Sequence, residues 1–501
     1  MKKVKFILPF LALAMFSCSD YLDINTSPND PNAALVTPNL SLAGAETNTY
    51  RPIARNGNIL GNLFMNNWGY NVNAFAVTNP EEFSLTLNNN SYSAIWDGLY
   101  TSTANLTNII NYDSAEYDNH KAIAKILKSY YFQYLVDLYG DIPYFGIHQG
   151  SANLSPAYDD DQAVYRDLVT QIDQAIAMID NPVAGTKAVG GEDVIMGGDM
   201  NRWKKFGNTL KLRILLRQSM MTDAETTTYL AAQFATLQSA DFIASDVTIN
   251  PGYSNASDDQ QNPFYNMMYE LNEETEKDIF RQYRASKYFG DELNTNPPDP
   301  RRSRIFQVTG GNVVGVLQGD TAQAGGGTAP LSISGLGPGV VVSSSQNGYI
   351  MTLAEGKLLQ CEAVHRGFLP GGAAVAQQLF DEAIAASFAQ LGAGDPSTYI
   401  ASVNNVVGKG YGAGGSTPTD QLRAIMYQKN IALTGTNSLE TFIEYTRTGF
   451  IDEIPLATGA TQANKPRRLL YPNSEIVGNT ANVPSQQATD IFTNGSFWWM
   501  P

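Results

Sequence analysis

The sequence predicts a mainly α fold, in which helical hairpins pack against an irregular, loop-rich lobe, and three observations lead there. Between Asp118 and Phe145, residues Ile123, Ile126, Leu127, Tyr130, Tyr131, Tyr134, Leu135 and Leu138 recur at three and four residues, a stripe too wide for a solvated surface helix. Further segments with the same period lie on either side, separated by turn-forming residues. From about 245 to 348 the pattern fails: NPGYSNASDDQQNP, NTNPPDPRR and GGGTAPLSISGLGPG interrupt any long helix.

Taken in order, a modest helical pattern from about 39 to 66 uses Leu40, Leu42, Ile53, Leu60, Leu63 and Phe64. The stretch Asn66 to Phe83 has no helical period and reads as a long exposed loop carrying Trp68, Tyr70, Phe75 and Phe83. Tyr92 to Tyr112 brings Ile95, Leu99, Leu106 and Ile109 into step, and a short acidic turn joins it to the Asp118 helix as a hairpin. That helix ends where Gly140 can take a left-handed cap and Pro143 forbids continuation. Asp161 to Ile179 and Arg202 to Met221 form a second hairpin, and Trp96 followed by Leu99 is similar to the opening of a tetratricopeptide unit. One helix is expected near Asp278 to Leu293 inside the irregular lobe. Helices return over Tyr349 to His365, Ala374 to Phe388, Asp420 to Leu433 and Leu439 to Gly449, and the tail from Pro466 is expected to wrap the surface.

The N-terminus bears on compartment. Lys2, Lys3 and Lys5 precede an apolar run, Phe6 to Phe16, too short to span a bilayer and suited to a secretory signal. It ends at Ser17 and Cys18, a small residue before Cys that resembles the bacterial lipobox, in which the Cys is acylated; Met15 and Phe16 fit only its looser form. The expected divisions are a lipoprotein signal peptide (1–17), a lipidated Cys18 with an Asp/Asn/Ser/Pro-rich spacer (18–38), an N-terminal helical-repeat part (39–244), an irregular inserted lobe (245–348), and C-terminal helices with a wrapping tail (349–501). An acylated Cys18 leaves Cys361 as an unpaired thiol, expected buried in a helix.

Composition narrows the function. The net charge is −16, and loss of three lysines with residues 1–17 makes it −19; no basic stripe offsets it, so nucleic acid is excluded as a partner. Only 16% of residues are charged while there are 26 Tyr and 43 Gly, a polar but neutral surface that suits polyhydroxylated ligands. His120, His148 and His365 are too scattered for a metal site or a triad. Glu362 and His365 have the spacing of a di-iron ligand pair, but a second such pair is missing. Nucleophile-elbow, P-loop and zinc-protease motifs are missing as well, so neither metal nor cofactor is expected. The acidic clusters Asp159 to Asp161 and Glu273, Glu274, Glu276 are read as solvated surface or helix starts, with paired hydrolytic carboxylates or calcium ligands as the alternatives.

Sugars present apolar C–H faces bounded by hydroxyls, so their sites combine flat aromatics with amides that both donate and accept. Residues 66–83 supply both: Trp68, Tyr70 and Phe75, with Asn67, Asn71 and Asn73. Tyr269, Tyr283 and Arg284 are secondary candidates.

Several segments, in order, resemble the SusD/RagB family of Bacteroidetes outer-membrane lipoproteins: Cys18 with SDYLD, WDGLYTSTAN (96–105), LYGDIPY (138–144), RWKKFGNTLKLRILLR (202–217), DPR (299–301), YIMTLAEGKLLQCEAVHRG (349–367), QKNIAL (428–433), EYTRTGF (444–450) and LYPNSEIVGNTAN (470–482). The resemblance implies tetratricopeptide-like helix pairs and a non-enzymatic role: capturing a nutrient, usually a glycan and in some members a peptide, at the cell surface. It also implies a partner, a SusC-like TonB-dependent transporter, and an outer-membrane location through the lipid anchor. A lipid-anchored glycoside hydrolase is the rival from another class. The shared motifs set helix ends and turns, so they transfer no ligand site.

Overall fold

The computed structural model describes residues 36–71, 80–295, 297–320 and 333–499. Cys18, Asn73 and Phe75 lie outside the described residues, as do the signal and spacer up to 35.

The fold is mainly α. Helix α1 (Pro38–Pro52) runs through a π turn (Ile53–Gly57) into α2 (Asn58–Phe64), followed by strand β1 (Trp68–Tyr70). Then come α3 (Ser93–Ile110), α4 (Asp118–Tyr139), α5 (Asp161–Asp180), α6 (Met200–Arg217) and α7 (Ala224–Leu237). Each packs on the next, and α1 lies on α3 and α4. After β2 (Val247–Ile249) the chain is irregular, with β3 (Tyr283–Ala285) and α8 (Lys287–Asn294) within it. Strand β4 (Gly348–Met351) leads to α9 (Leu353–His365), α10 (Gly372–Leu391), α11 (Pro418–Leu433) and α12 (Ser438–Thr448). Helix α9 packs on α10, α11 and α6, while α12 packs on α11 and returns to α2.

The α4 stripe behaves as its period requires: Ile123, Ile126, Leu127, Tyr131, Tyr134, Leu135 and Leu138 have no exposed surface. Its end is a glycine position, since Gly140 has φ +79° and closes the helix by donating its N–H to Val136 O. The α2–α12 crossing needs a glycine for a different reason. A Cβ on Gly61 would lie 2.0 Å from the Ser438 backbone, so any side chain would push α2 and α12 apart.

A buried ionic seam joins the two halves of the helical array. Arg213 and Arg217 on α6 face Glu355 on α9 (3.0 Å), Glu440 on α12 (2.8 Å from Arg217) and Asp137 on α4 (3.3 Å from Arg217). Arg217 also pairs with Glu444, and Arg447 bridges Glu444 (2.5 Å) and Glu362 (2.8 Å). Burial works to raise the Glu444 pKa, but Arg447, Lys429 and Arg217 outweigh it and hold the carboxyl well below the usual range. Asp137 goes the other way: burial outweighs Arg217 and pushes it up to about 6.

Three expectations are corrected and one helix is added. Residues 66–71 are not an exposed loop, because β1 pairs with β3 and buries Asn66, Asn67, Trp68 and Asn71. The helix expected near Asp278 to Leu293 is two helices interrupted by β3: Asp278–Gln282 and α8, the latter begun by Ser286, whose Oγ accepts from Phe289 N–H. Helix α7 was not anticipated; Asp223 caps it, and Leu230, Phe234 and Leu237 bury its one apolar edge. The tail does more than wrap the surface, since Trp498 is fully buried with its indole N–H donating to Asp137 at 3.0 Å.

Candidate functional site

The antiparallel β1–β3 ladder assembles a site from distant sequence. Its register sets Trp68 against Ala285, Gly69 against Arg284 and Tyr70 against Tyr283, which joins the primary candidates of the first segment to two secondary ones. Gly69 is required by close approach: a Cβ there would fall 2.6 Å from Val316 Cγ1.

The ladder divides its aromatics into supports and surface. Trp68 has no exposed surface; its ring lies 5.3 Å from that of Tyr283 and 6.3 Å from that of Phe264. Expected to stack on a ligand, it offers no face to one in this structure, because strand alternation points it into the core. Tyr70, the next residue on that alternation, is half-buried and held edge-on between Phe83 and Tyr283, each 5.4 Å away. Burial and then the nearby Glu82 push its hydroxyl up to about 12, so Tyr70 stays a neutral donor at physiological pH. Glu82 in turn accepts from the Tyr92 hydroxyl.

The expected amides are also supports. Asn67 exchanges side-chain hydrogen bonds with Asn430 (3.0 Å each way) and donates to Thr434 Oγ1 (3.1 Å), pinning the strand to α11. Asn71 donates its backbone N–H to Gln282 O (2.8 Å) and its amide to Arg281 O (3.3 Å). Its Oδ1 is buried without a partner among the described residues.

Tyr269 provides the second half-exposed aromatic. It stacks on Tyr265 (centroids 5.2 Å apart, planes at 16°) and leans on Phe280 at 5.0 Å. Arg284 lies over the other neighbour of this group, its guanidinium 6.0 Å from the Phe280 centroid and its Nε unpartnered among the described residues. Tyr265 and Phe280 escaped the sequence reading, although the Tyr265–Tyr269 spacing of four was visible. The half-exposed rings of Tyr70 and Tyr269, with their hydroxyls, can stack on and hydrogen-bond a polyhydroxylated ligand.

The remaining candidates are accounted for elsewhere. Glu362 is held by Arg447 and Arg366, while His365 Nδ1 bonds the Tyr411 hydroxyl at 2.8 Å, so the two do not converge. His120 contacts Glu192 at 3.1 Å, and His148 bonds Thr107 and the Tyr100 carbonyl, both at 2.9 Å. Asp160 caps α5 through Ala163 N–H, and Asp159 accepts from the backbone of Tyr144 and Phe145. Asp141, Asp160 and Asp161 do approach within 4.8 Å of one another, but Asp161 already accepts Phe497 N–H and its own N–H donates to Asp141. Cys361 is free and buried in α9, its thiol donating to Ala376 O, and burial pushes its pKa up.

Helical hairpins clamped by a buried ionic seam, with aromatic side chains on an irregular lobe, define the fold class. The chain belongs to the SusD-like family, described as "Starch-binding associating with outer membrane", whose model matches residues 28–472. Solved structures agree in fold. A chitin-binding SusD homologue from Flavobacterium johnsoniae is 22% identical, with 91% of this chain and 98% of that chain covered and a TM-score of 0.72. A SusD homologue from Bacteroides uniformis is 19% identical over 92% of this chain and 99% of that one, also with a TM-score of 0.72. A further chitin-binding protein is 23% identical over 92% and 98%, with a TM-score of 0.69. No functionally curated protein matches the sequence. Among the described residues no helix is long and apolar enough to cross a membrane.

Proposed function

We propose that this chain is a cell-surface lipoprotein that captures oligo- or polysaccharide and delivers it to a SusC-like TonB-dependent transporter in the outer membrane, without altering the ligand chemically. The family description, one of glycan binding and outer-membrane association, supports the class of role. The observation that carries the ligand assignment is the β1–β3 register, which sets half-exposed Tyr70 against Tyr283, with the stacked Tyr265–Tyr269 pair on the same lobe. The contact residues proposed are Tyr70 and Tyr269, with Asn73 and Phe75 from the adjoining segment; the buried Trp68, Asn71 and Arg284 hold the surface in place.

Direct binding tests this reading. The form lacking residues 1–18 is titrated with malto-oligosaccharides, chito-oligosaccharides and a peptide panel, and each mixture is checked for cleavage products. Saturable glycan binding without products is expected. Peptide binding alone, or release of shortened sugars lost on changing one carboxylate, overturns it. For the anchor, C18A is expected to leave membranes and appear in the soluble fraction; persistent membrane association rules out Cys18 as the tether.

A further inference from the structure

A second cleft lies between α3, α4, α5 and the turn that follows α4, and the glycan surface makes no use of it. It encloses about 160 Å³ and is lined by Thr107, Asn111, Lys128, Tyr144, Phe145 and Gln171, among others. Drug-sized ligand clefts run from roughly 300 to 1,000 Å³, so this one takes a single small unit.

Its chemistry is set by Lys128. The stem passes the rings of Phe132 and Tyr144, with Nζ 5.5 and 5.6 Å from their centroids, and Nζ has neither hydrogen bond nor ion pair among the described residues. The nearest carboxylate, Asp167 on α5, is engaged elsewhere: it accepts the Tyr144 hydroxyl at 2.7 Å and the Gln171 amide at 3.3 Å. Lys125, one turn away on α4, gives its ammonium to Gln171 (2.5 Å) and Gln174 (3.0 Å). His148, in the segment after α4, is pushed down to about 4 by burial and is neutral at pH 7. Helix α3 and its C-cap contribute only the uncharged Thr107, Ile110 and Asn111 to the lining. Two lysines therefore face one carboxylate that is already occupied. Phe145, 55% exposed, stands at the rim as a bare aromatic face.

A cation lodged against two rings without a counter-ion is suited to an anion that brings its own, and an exposed ring beside it suits a sugar's C–H face. We propose that the cleft at Lys128 and Phe145 is a binding subsite for a carboxylate-bearing sugar unit, such as a hexuronic acid, distinct from the β1–β3 surface. The carboxylate sits on Lys128, the ring on Phe145, and the hydroxyls meet Asn111 and Gln171.

The protonation of Lys128 provides a readout that packing alone does not. Burial depresses the lysine to about 8, partly offset by Asp167 and reinforced by Lys125. The site is therefore cationic below that value and loses its charge as pH rises through it, well before an ordinary lysine would. The test is titration of the protein with D-glucuronate, D-glucose and acetate by ligand-observed NMR, at pH 7 and pH 9.5. At pH 7 D-glucuronate is expected to bind at least about tenfold more tightly than either D-glucose or acetate, and to weaken at pH 9.5. K128M, in which an apolar chain keeps the ring contacts, is expected to abolish this binding with its melting temperature retained, while K128R retains it; F145A is expected to weaken D-glucuronate toward the affinity of acetate. Equal binding of D-glucose, equal binding of acetate, or unchanged affinity in a folded K128M overturns the proposal. Because none of these probes is a malto- or chito-oligosaccharide, its failure leaves the glycan reading to be judged by its own titration.

Discussion

The ionic seam and the β1–β3 surface solve opposite problems with opposite chemistry. In the seam, Arg213, Arg217 and Arg447 face Glu355, Glu440, Glu444 and Glu362 with almost no exposure, and these side chains come from α6, α9 and α12. Removing one partner there strands a charge in the interior, so the array is held in one arrangement. The surface uses neutral tyrosines instead, Tyr70 and Tyr269, weakly coupled and partly open to solvent. Changes there cost little stability and act on recognition. The comparison teaches that the residues most constrained by the fold are not those placed to meet a ligand, even when both are aromatic or polar.

Breaking the seam is expected to have the largest effect. R217M leaves Asp137, Glu440 and Glu444 without their shared cation, which is expected to cost about 3–5 kcal/mol in urea unfolding. A loss below about 1 kcal/mol would show that the seam is not what joins the two halves. Next comes Trp68, whose assignment as support is checked by W68A: roughly 3 kcal/mol of destabilisation is expected from the cavity. Full stability with lost glycan affinity would return Trp68 to the ligand face.

The pH dependence of Asp137 is intermediate in size. Its folded pKa, about 6, lies above the ordinary 3.8, so its contribution is fully present below the lower value and is lost as pH rises through the upper one. Wild type is therefore expected to lose roughly 2–3 kcal/mol relative to D137N between pH 4 and pH 7, read from paired unfolding curves. A flat difference would mean that Arg217 keeps Asp137 ionised throughout. The smallest effects belong to the surface: Y269A and Y70A are each expected to weaken glycan binding by about 3- to 10-fold, a ring's worth of stacking, with Y70A also costing about 1 kcal/mol through Phe83 and Tyr283. Unchanged affinity in both would move the ligand away from this lobe.

Much of the fold was legible because long helices announce themselves. The α4 period, the Gly140–Pro143 stop and the α3, α5, α6, α11 and α12 patterns all rest on local spacing, which one chain segment expresses without help from another. Helix α7 was legible too, through Asp223 and the spacing of Leu230, Phe234 and Leu237, but its run of threonines hid it. Short strands are different. A three-residue segment has no period to read, and Trp68-Gly69-Tyr70 becomes a strand only because Tyr283–Ala285 lies more than two hundred residues away and supplies its backbone partners.

By itself, then, the amino-acid order determined the helical class, the major helix ends and the weakly charged, tyrosine-rich composition, and it bore the family's marks. Which aromatic faces solvent was decided only by tertiary structure. Trp68 and Tyr70 share one face of β1, and Phe264 and Tyr283 pack against the first while the second is left half outside. The same holds for Lys128, unremarkable on its helix until α5 drew Asp167 to other partners and left the ammonium alone in its cleft. Burial and pairing are relations between distant segments, and the sum of those relations exists only in the folded chain.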